Sequence, residues 1–222
     1  MTSEHHPAFH TEPGAGPVTL VESAELTVRK VAVGPMDNNA YLLRTPRTSA
    51  LIDAAAEADT IAAELAGRPV AAIITTHQHH DHIGALSELT LATGAEPVCG
   101  EADADAIREQ TRVLCRPVVH GERIAIDDGL ELEVISLVGH TPGSITLVLQ
   151  TQDRTLLFTG DSLFPGGPGK TGSPHDFASL MDHLTERIFD RFEDAEVHPG
   201  HGDSTTLAAE RPHLHEWRAR GW

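Results

Sequence analysis

Apolar residues recur along this chain in short runs whose period switches between that of strands and that of helices. Residues 18–26, Thr27–Val33 and 40–44 are rich in β-branched side chains with an alternating character, which predicts strands. The run Ala50-Leu51-Ile52-Asp53 reads as a buried strand ended by an acid, and 56–66 follows as a helix closed by Gly67. Val70–Thr75 is a second buried strand and leads directly into a cluster of histidines. Helices fit 85–91 and 102–114. The second half offers strands at 130–137, 144–149 and 155–159, then a long amphipathic helix at 177–192. A short strand at 195–198 precedes a C-terminal helix from about Leu207. Strands interspersed with helices predict an α/β architecture of sheets covered by helices. No repeat of 20–50 residues is visible. Residues 1–17 lack a hydrophobic period and carry Pro7, Pro13, Gly14, Gly16 and Pro17, so they read as a flexible tail ahead of one domain over 18–222. His5, His6 and His10 fall in that tail and read as solvated.

Composition narrows the class. The 222 residues are 40% hydrophobic, enough for a full core, and no apolar run approaches the roughly 20 residues that span a bilayer. The start, Met1-Thr2-Ser3-Glu4, lacks the basic and apolar stretches of a signal peptide. The two cysteines, Cys99 and Cys115, therefore read as free thiols of a cytoplasmic protein. A net charge of -17 repels phosphate backbones, which counts against a protein that grips nucleic acid. The expected partner is a small molecule, not a membrane or a nucleic acid. Histidine is abundant, 15 residues against 16 Lys plus Arg, and its placement matters more than its number.

In His77-Gln78-His79-His80-Asp81-His82, residues two apart on extended backbone project to one side, so His77, His79 and Asp81 can converge. A helix starting near Ile83 would swing His82 round to a neighbouring point. By the same alternation His80 points away and reads as a pocket-wall or surface residue. Imidazole and carboxylate donors suit zinc, iron or manganese. Three further candidates stand at strand ends, where α/β proteins place ligands. These are His140 in Gly139-His140-Thr141-Pro142-Gly143, Asp161 in Thr159-Gly160-Asp161-Ser162, and His201 in His198-Pro199-Gly200-His201-Gly202.

With these motifs in this order, joined by Gly166-Gly167-Pro168-Gly169-Lys170, the chain resembles the metallo-β-lactamase superfamily over residues 27–206, and within it the glyoxalase II-like branch. The resemblance implies a four-layer αββα sandwich of two mixed β-sheets flanked by helices. It implies two divalent metal ions, zinc by default with iron or manganese suited to the same donors. His77, His79 and His140 would hold one ion, Asp81, His82 and His201 the other, and Asp161 would bridge them. Asp53 matches an early aspartate that supports the ligands without being one. Tyr41 resembles a structural position of a family strand. The implied reaction is attack of a metal-bridging hydroxide on a thioester or ester, with Asp81 orienting the nucleophile and moving its proton and Lys170 anchoring the substrate. True β-lactamases of the family commonly carry cysteine where Asp161 stands, and Arg or Cys where His82 stands, so antibiotic hydrolysis is not expected. A tyrosine expected two residues after Lys170 is replaced by Gly172, and the segment after His201 has room for one helix bearing Arg211, Arg218 and Arg220. The thiol is therefore not fixed as glutathione, and a different low-molecular-weight thiol, a plain ester or a lactone stays open. The alternatives on the same fold are a lactonase and a mononuclear-iron persulfide dioxygenase. His201 argues against the latter, whose members typically lack it.

Overall fold

The computed structural model describes residues 9–221. His5 and His6 lie outside them. Strands β1 (Val18–Glu22), β2 (Thr27–Val33), β3 (Asn38–Arg44) and β4 (Ser49–Ile52) form an antiparallel meander, which β5 (Val70–Thr75), β6 (Glu96–Gly100) and β7 (Arg116–Val118) extend in parallel. Parallel neighbours need crossovers. Here they run through α1 (Ala58–Leu65), α2 (Leu86–Thr93) and α3 (Ala104–Thr111). The second sheet combines β8 (Arg123–Asp127), β9 (Leu130–Ser136), β10 (Ile145–Gln150) and β11 (Thr155–Gly160). After β11, β12 (Leu163–Phe164) and β13 (Gly167–Pro168) make a small hairpin. The chain then forms α4 (Pro174–His183), a π-helical turn (Leu184–Phe189), β14 (Glu196–Pro199), β15 (Thr205–Thr206), α5 (Leu207–Glu210) and α6 (Leu214–Arg220). β14 pairs parallel to β11, giving the order β15-β14-β11-β10-β9-β8.

The central strands read as continuous apolar runs because both of their faces are buried. Tyr41, Leu43, Ala50, Ile52, Ala72 and Ile74 face the second sheet and meet Leu147, Leu149, Leu156 and Phe158. Their neighbours Leu42, Leu51 and Ile73 face the other way, against Ile61, Leu65, Leu86, Leu89 and Ile107 of α1–α3. On the far side Val148, Leu157 and Val197 pack on Leu180, Met181, Leu184, Ile188 and Trp217. Three apolar layers between four layers of structure are the expected αββα sandwich.

The helix expected over 177–192 begins earlier, at Pro174, because Ser173 caps it by accepting from the Asp176 backbone N–H at 3.2 Å and proline suits the first turn. It ends in the π turn, where Asp190 N–H donates to Thr185 O at 2.8 Å. Strands β6, β7 and β8 were not expected. β6 and β7 each contain a proline and only a few apolar residues, and their strand form comes from pairing in parallel beside β5 rather than from local pattern. The segment expected as a tail is described from residue 9. Phe9 packs against the inter-sheet core, and the buried Lys30 donates to Phe9 O at 3.1 Å and to Gly202 O. Burial pushes the Lys30 ammonium down to about 8 against the attraction of Asp203 and Asp37.

Candidate metal centre

All seven candidate ligands lie at the C-terminal ends of strands from both sheets, at the rim where the two sheets meet. After β5 the chain stays extended through His79 (φ -66°, ψ 142°), then tightens into a 3-10 turn over His80–His82. That turn divides the cluster. Alternation alone would group Asp81 with His77 and His79, but the turn carries Asp81 and His82 across to His201. His80 points into solvent, as its position in the alternation predicts.

Three overlapping groups result, each with donor atoms within 4.8 Å of one another: His77, His79 and His140; His77, His82 and Asp161; Asp81, His82 and His201. His77 Nε2 and His140 Nε2 are 3.3 Å apart, and His82 Nε2 and His201 Nε2 3.2 Å. His201 Nε2 is 3.2 Å from Asp81 Oδ2 and 3.4 Å from Asp161 Oδ2. A tetrahedron with metal–nitrogen bonds of about 2.0 Å has edges of about 3.3 Å, so these spacings suit a common cation.

The far side of each ring explains why the Nε2 atoms turn inward. His82 Nδ1–H donates to Asp53 Oδ2 at 2.8 Å, and Asp53 also accepts from Thr76 N–H at 2.7 Å and Thr76 Oγ1–H at 2.8 Å. With its hydroxyl hydrogen committed to Asp53, Thr76 Oγ1 accepts from His77 Nδ1 at 3.1 Å. His140 Nδ1 donates to Lys170 O at 2.6 Å and His201 Nδ1 to Met36 O at 2.8 Å. Each of these bonds selects the tautomer that leaves Nε2 as a lone pair. Asp53 thus supports the ligands, as expected, from a left-handed backbone position (φ 57°) that aspartate tolerates better than most residues.

Electrostatics point the same way. Burial disfavours a charge on Asp161, yet His201 and His82 hold its carboxyl far below the usual range. Its buried Oδ1 has no hydrogen-bond partner among the described residues, although His82 Nε2 lies 3.4 Å away. A buried carboxylate oxygen without a donor, aimed into imidazole lone pairs, fits a metal ion. Burial also opposes charge on His82, but Asp53 and Asp161 push it up to about 10, a sign that the pocket attracts positive charge. His77, where burial and then His82 act, is held well below its ordinary value and is neutral at pH 7. The residues present therefore fit divalent cations.

Close approach of backbone completes the centre. A Cβ on Gly200 would lie 2.3 Å from Asp161 Oδ1 and 2.5 Å from His82 Cε1, so only glycine lets this turn reach His201 into place. Asn39 Nδ2–H and Tyr41 O–H donate to Pro199 O at 2.9 and 2.6 Å, tying β3 to the turn before His201. Two contributors were not evident from sequence. Asn38 Nδ2–H donates to Asp81 Oδ2 at 2.9 Å, and the buried Asp103 accepts from Gln78 N–H (2.9 Å), Thr141 Oγ1–H (2.6 Å) and Gly143 N–H (2.7 Å). Asp103 so joins the histidine segment to the His140 turn. Its only sequence signal is an acid at the start of a predicted helix, which ordinarily marks a cap. Lys170 contributes its carbonyl to His140 and lines an adjoining pocket. Cys99 and Cys115 are free, as expected, and both are buried.

The family model described as "Metallo-beta-lactamase superfamily" matches residues 33–205. The chain is 28% identical over 184 residues to the hydroxyacylglutathione hydrolase GloC of Haemophilus influenzae, covering 74% of this chain and 85% of that one. It is 31% identical to a hydroxyacylglutathione hydrolase of Polaromonas, covering 72% of this chain but spanning only 60% of that enzyme's length. A protein crystallised in a di-iron-bound form superposes with a TM-score of 0.67 at 29% identity, over 82% of this chain and 96% of the other. Because that family model spans most of the chain, the chain belongs to the metallo-β-lactamase superfamily.

Proposed function

We propose that this protein is a binuclear metal-dependent hydrolase that cleaves a thioester or ester of a small molecule. The observation that carries the reading is Asp161, a buried carboxylate set between two groups of imidazole donors with one oxygen unpartnered. His77, His79 and His140 would hold one ion, Asp81, His82 and His201 the other, and Asp161 would serve both. Two divalent ions, zinc or else iron or manganese, would supply Lewis acidity for the carbonyl and lower the pKa of a bound water towards 7. Asp81 is fixed by Asn38 and stays partly exposed at the mouth of the site, where it can orient the attacking water and take its proton. Asp53, Thr76, Met36 and Lys170 keep the imidazoles in the binding tautomer. Lys170 would anchor an anionic part of the substrate through its ammonium. The relatives' name, hydroxyacylglutathione hydrolase, supports a thioester, and the buried free thiols fit a reducing cytoplasm.

Elemental analysis of freshly purified protein tests this, with Asp161→Ala beside it. Close to two equivalents of zinc, or of a zinc, iron and manganese mixture, are expected, with hydrolysis of members of a thioester and lactone panel. The variant is expected to lose metal and activity together. A metal-replete Asp161→Ala protein with full activity would refute the binuclear assignment. One equivalent of iron with oxygen-dependent oxidation of a persulfide would replace hydrolysis by the dioxygenase reading.

A further inference from the structure

Alternation along β2 places Lys30 on the same face as Val28, opposite Tyr41 of β3, and that face meets the second sheet. An aliphatic residue is expected there, yet the position holds a lysine with no exposed surface. Burying an ammonium is costly unless hydrogen bonds replace its water. Two do so, and both acceptors are backbone carbonyls: Phe9 O at 3.1 Å and Gly202 O. Burial lowers its pKa to about 8, which still leaves most of the population charged at pH 7. The sheet itself has no need of that charge, so its use lies in what the ammonium touches.

Gly202 directly follows the candidate ligand His201. Gly200 and Gly202 flank that histidine, the latter with a left-handed backbone (φ 61°), so the turn has little stiffness of its own. What holds it comes from outside. Gly200 O accepts from Asn39 N–H at 2.7 Å, and Gly202 N–H donates to Asp37 O at 3.1 Å. His198 Nδ1 and Ser204 Oγ, 2.8 Å apart, close the base of the loop. Gly202 O accepts from Asn39 Nδ2–H at 3.0 Å and from the Lys30 ammonium. On its other side the ammonium is held by Phe9, whose ring centroid lies 6.1 Å from that of His198, and the next residue, His10, bonds Asp203. Lys30 thus joins the N-terminal segment, β2 and the His201 turn at one point.

We propose that Lys30 is a positioning residue whose buried ammonium fixes the turn that presents His201. Affinity for the ion of Asp81, His82 and His201 then depends on Lys30, whereas affinity for the ion of His77, His79 and His140 does not. The effect is confined to one half because the His140 turn is fastened elsewhere, by Asp103. The inference rests on the binuclear reading and adds to it a residue outside the candidate ligands.

Lys30→Met keeps the stem and removes the charge, and Gly202 O retains its Asn39 donor, so the variant is expected to fold. In metal-free protein, hydrogen exchange should quicken about tenfold at Gly202 N–H and Asn39 N–H. It should stay unchanged at Gly143 N–H, which Asp103 holds in the His140 turn. Zinc titration against a chromophoric chelator should show two steps in the parent. His201→Ala identifies the step that belongs to His201, and Lys30→Met should weaken that step about tenfold and leave the other alone. Equal weakening of both steps, or exchange that quickens equally at Gly143, marks a merely structural lysine and overturns the proposal. An unchanged His201 step does the same. A parent that takes up one ion only ends the binuclear reading. Lys30 then keeps its role if that ion is weakened by both His201→Ala and Lys30→Met, and loses it otherwise. Should Lys30→Met fail to fold, Phe9→Ala, which frees the other side of the ammonium, is judged in its place by the same criteria.

Discussion

Asp53 orients two candidate ligands at once, His82 directly and His77 through Thr76, and it does so from a left-handed backbone that most residues resist. Asparagine also tolerates that backbone and matches aspartate in shape. Asp53→Asn therefore changes the charge and one acceptor, and little else. Its amide would stand either where Oδ2 now accepts from both His82 Nδ1–H and the Thr76 hydroxyl, or where Oδ1 accepts from Thr76 N–H. Losing such a support costs metal affinity about 10- to 100-fold. Competition against a chromophoric chelator should show that loss, and unchanged affinity would mean the Asp53 carboxylate does not hold His82. At this scale the candidate ligands were legible because histidine and aspartate in Gly- and Pro-rich strand ends have few other reasons to cluster. Asn38 and Asp103 were not, because the importance of a buried polar side chain lies in partners far along the chain. Asp103 meets Thr141 and Gly143, some 38 and 40 residues away.

Elements were legible where burial on both faces wrote itself into the sequence, and not where pairing imposed the structure. Val70–Thr75 matches β5 residue for residue, since each of its faces meets a different core. β6 and β7 carry prolines and draw their form from β5, so no local pattern announces them. Joining such elements falls to single polar residues, and Asp103 is the clearest case. It stands at the start of α3, yet its carboxylate caps nothing there and instead fastens the His77–His82 segment to the His140 turn. Burial raises its pKa, and the Thr141, Gly143 and Gln78 donors work against that rise. Asp103→Ala would leave these donors without an acceptor, at about 1–3 kcal/mol for each that stays buried. The expected result is a loss of about 3 kcal/mol or more in urea unfolding, together with weaker metal binding. A variant as stable as the parent would show that the two loops hold their places unaided.

At the scale of the whole molecule, the candidate ligands divide between the sheets. His77, His79, Asp81 and His82 follow β5 of the first, whereas His140, Asp161 and His201 follow β9, β11 and β14 of the second. Metal bound there would tie the halves of the sandwich together, and its binding energy would appear as folding stability. At a free metal concentration 100 times Kd, each ion adds about 2.7 kcal/mol. In a protein of this size that raises Tm by about 5–10 °C per ion. The gain should also depend on pH, with a definite sign. In chelated protein His82 has its pKa raised to about 10, so the stability it contributes is full below its unfolded value near 6.5 and is lost as pH rises towards 10. Metal competes with that same proton and binds better as it leaves. The chelated form therefore weakens over the window in which the loaded form tightens. The difference in Tm between loaded and chelated protein should widen from pH 6.5 upwards, with protons released on loading. Scanning calorimetry at several pH values, with and without a chelator, measures this directly. A gap that stays constant or narrows across that range would mean that His82 does not exchange its proton for a metal ion.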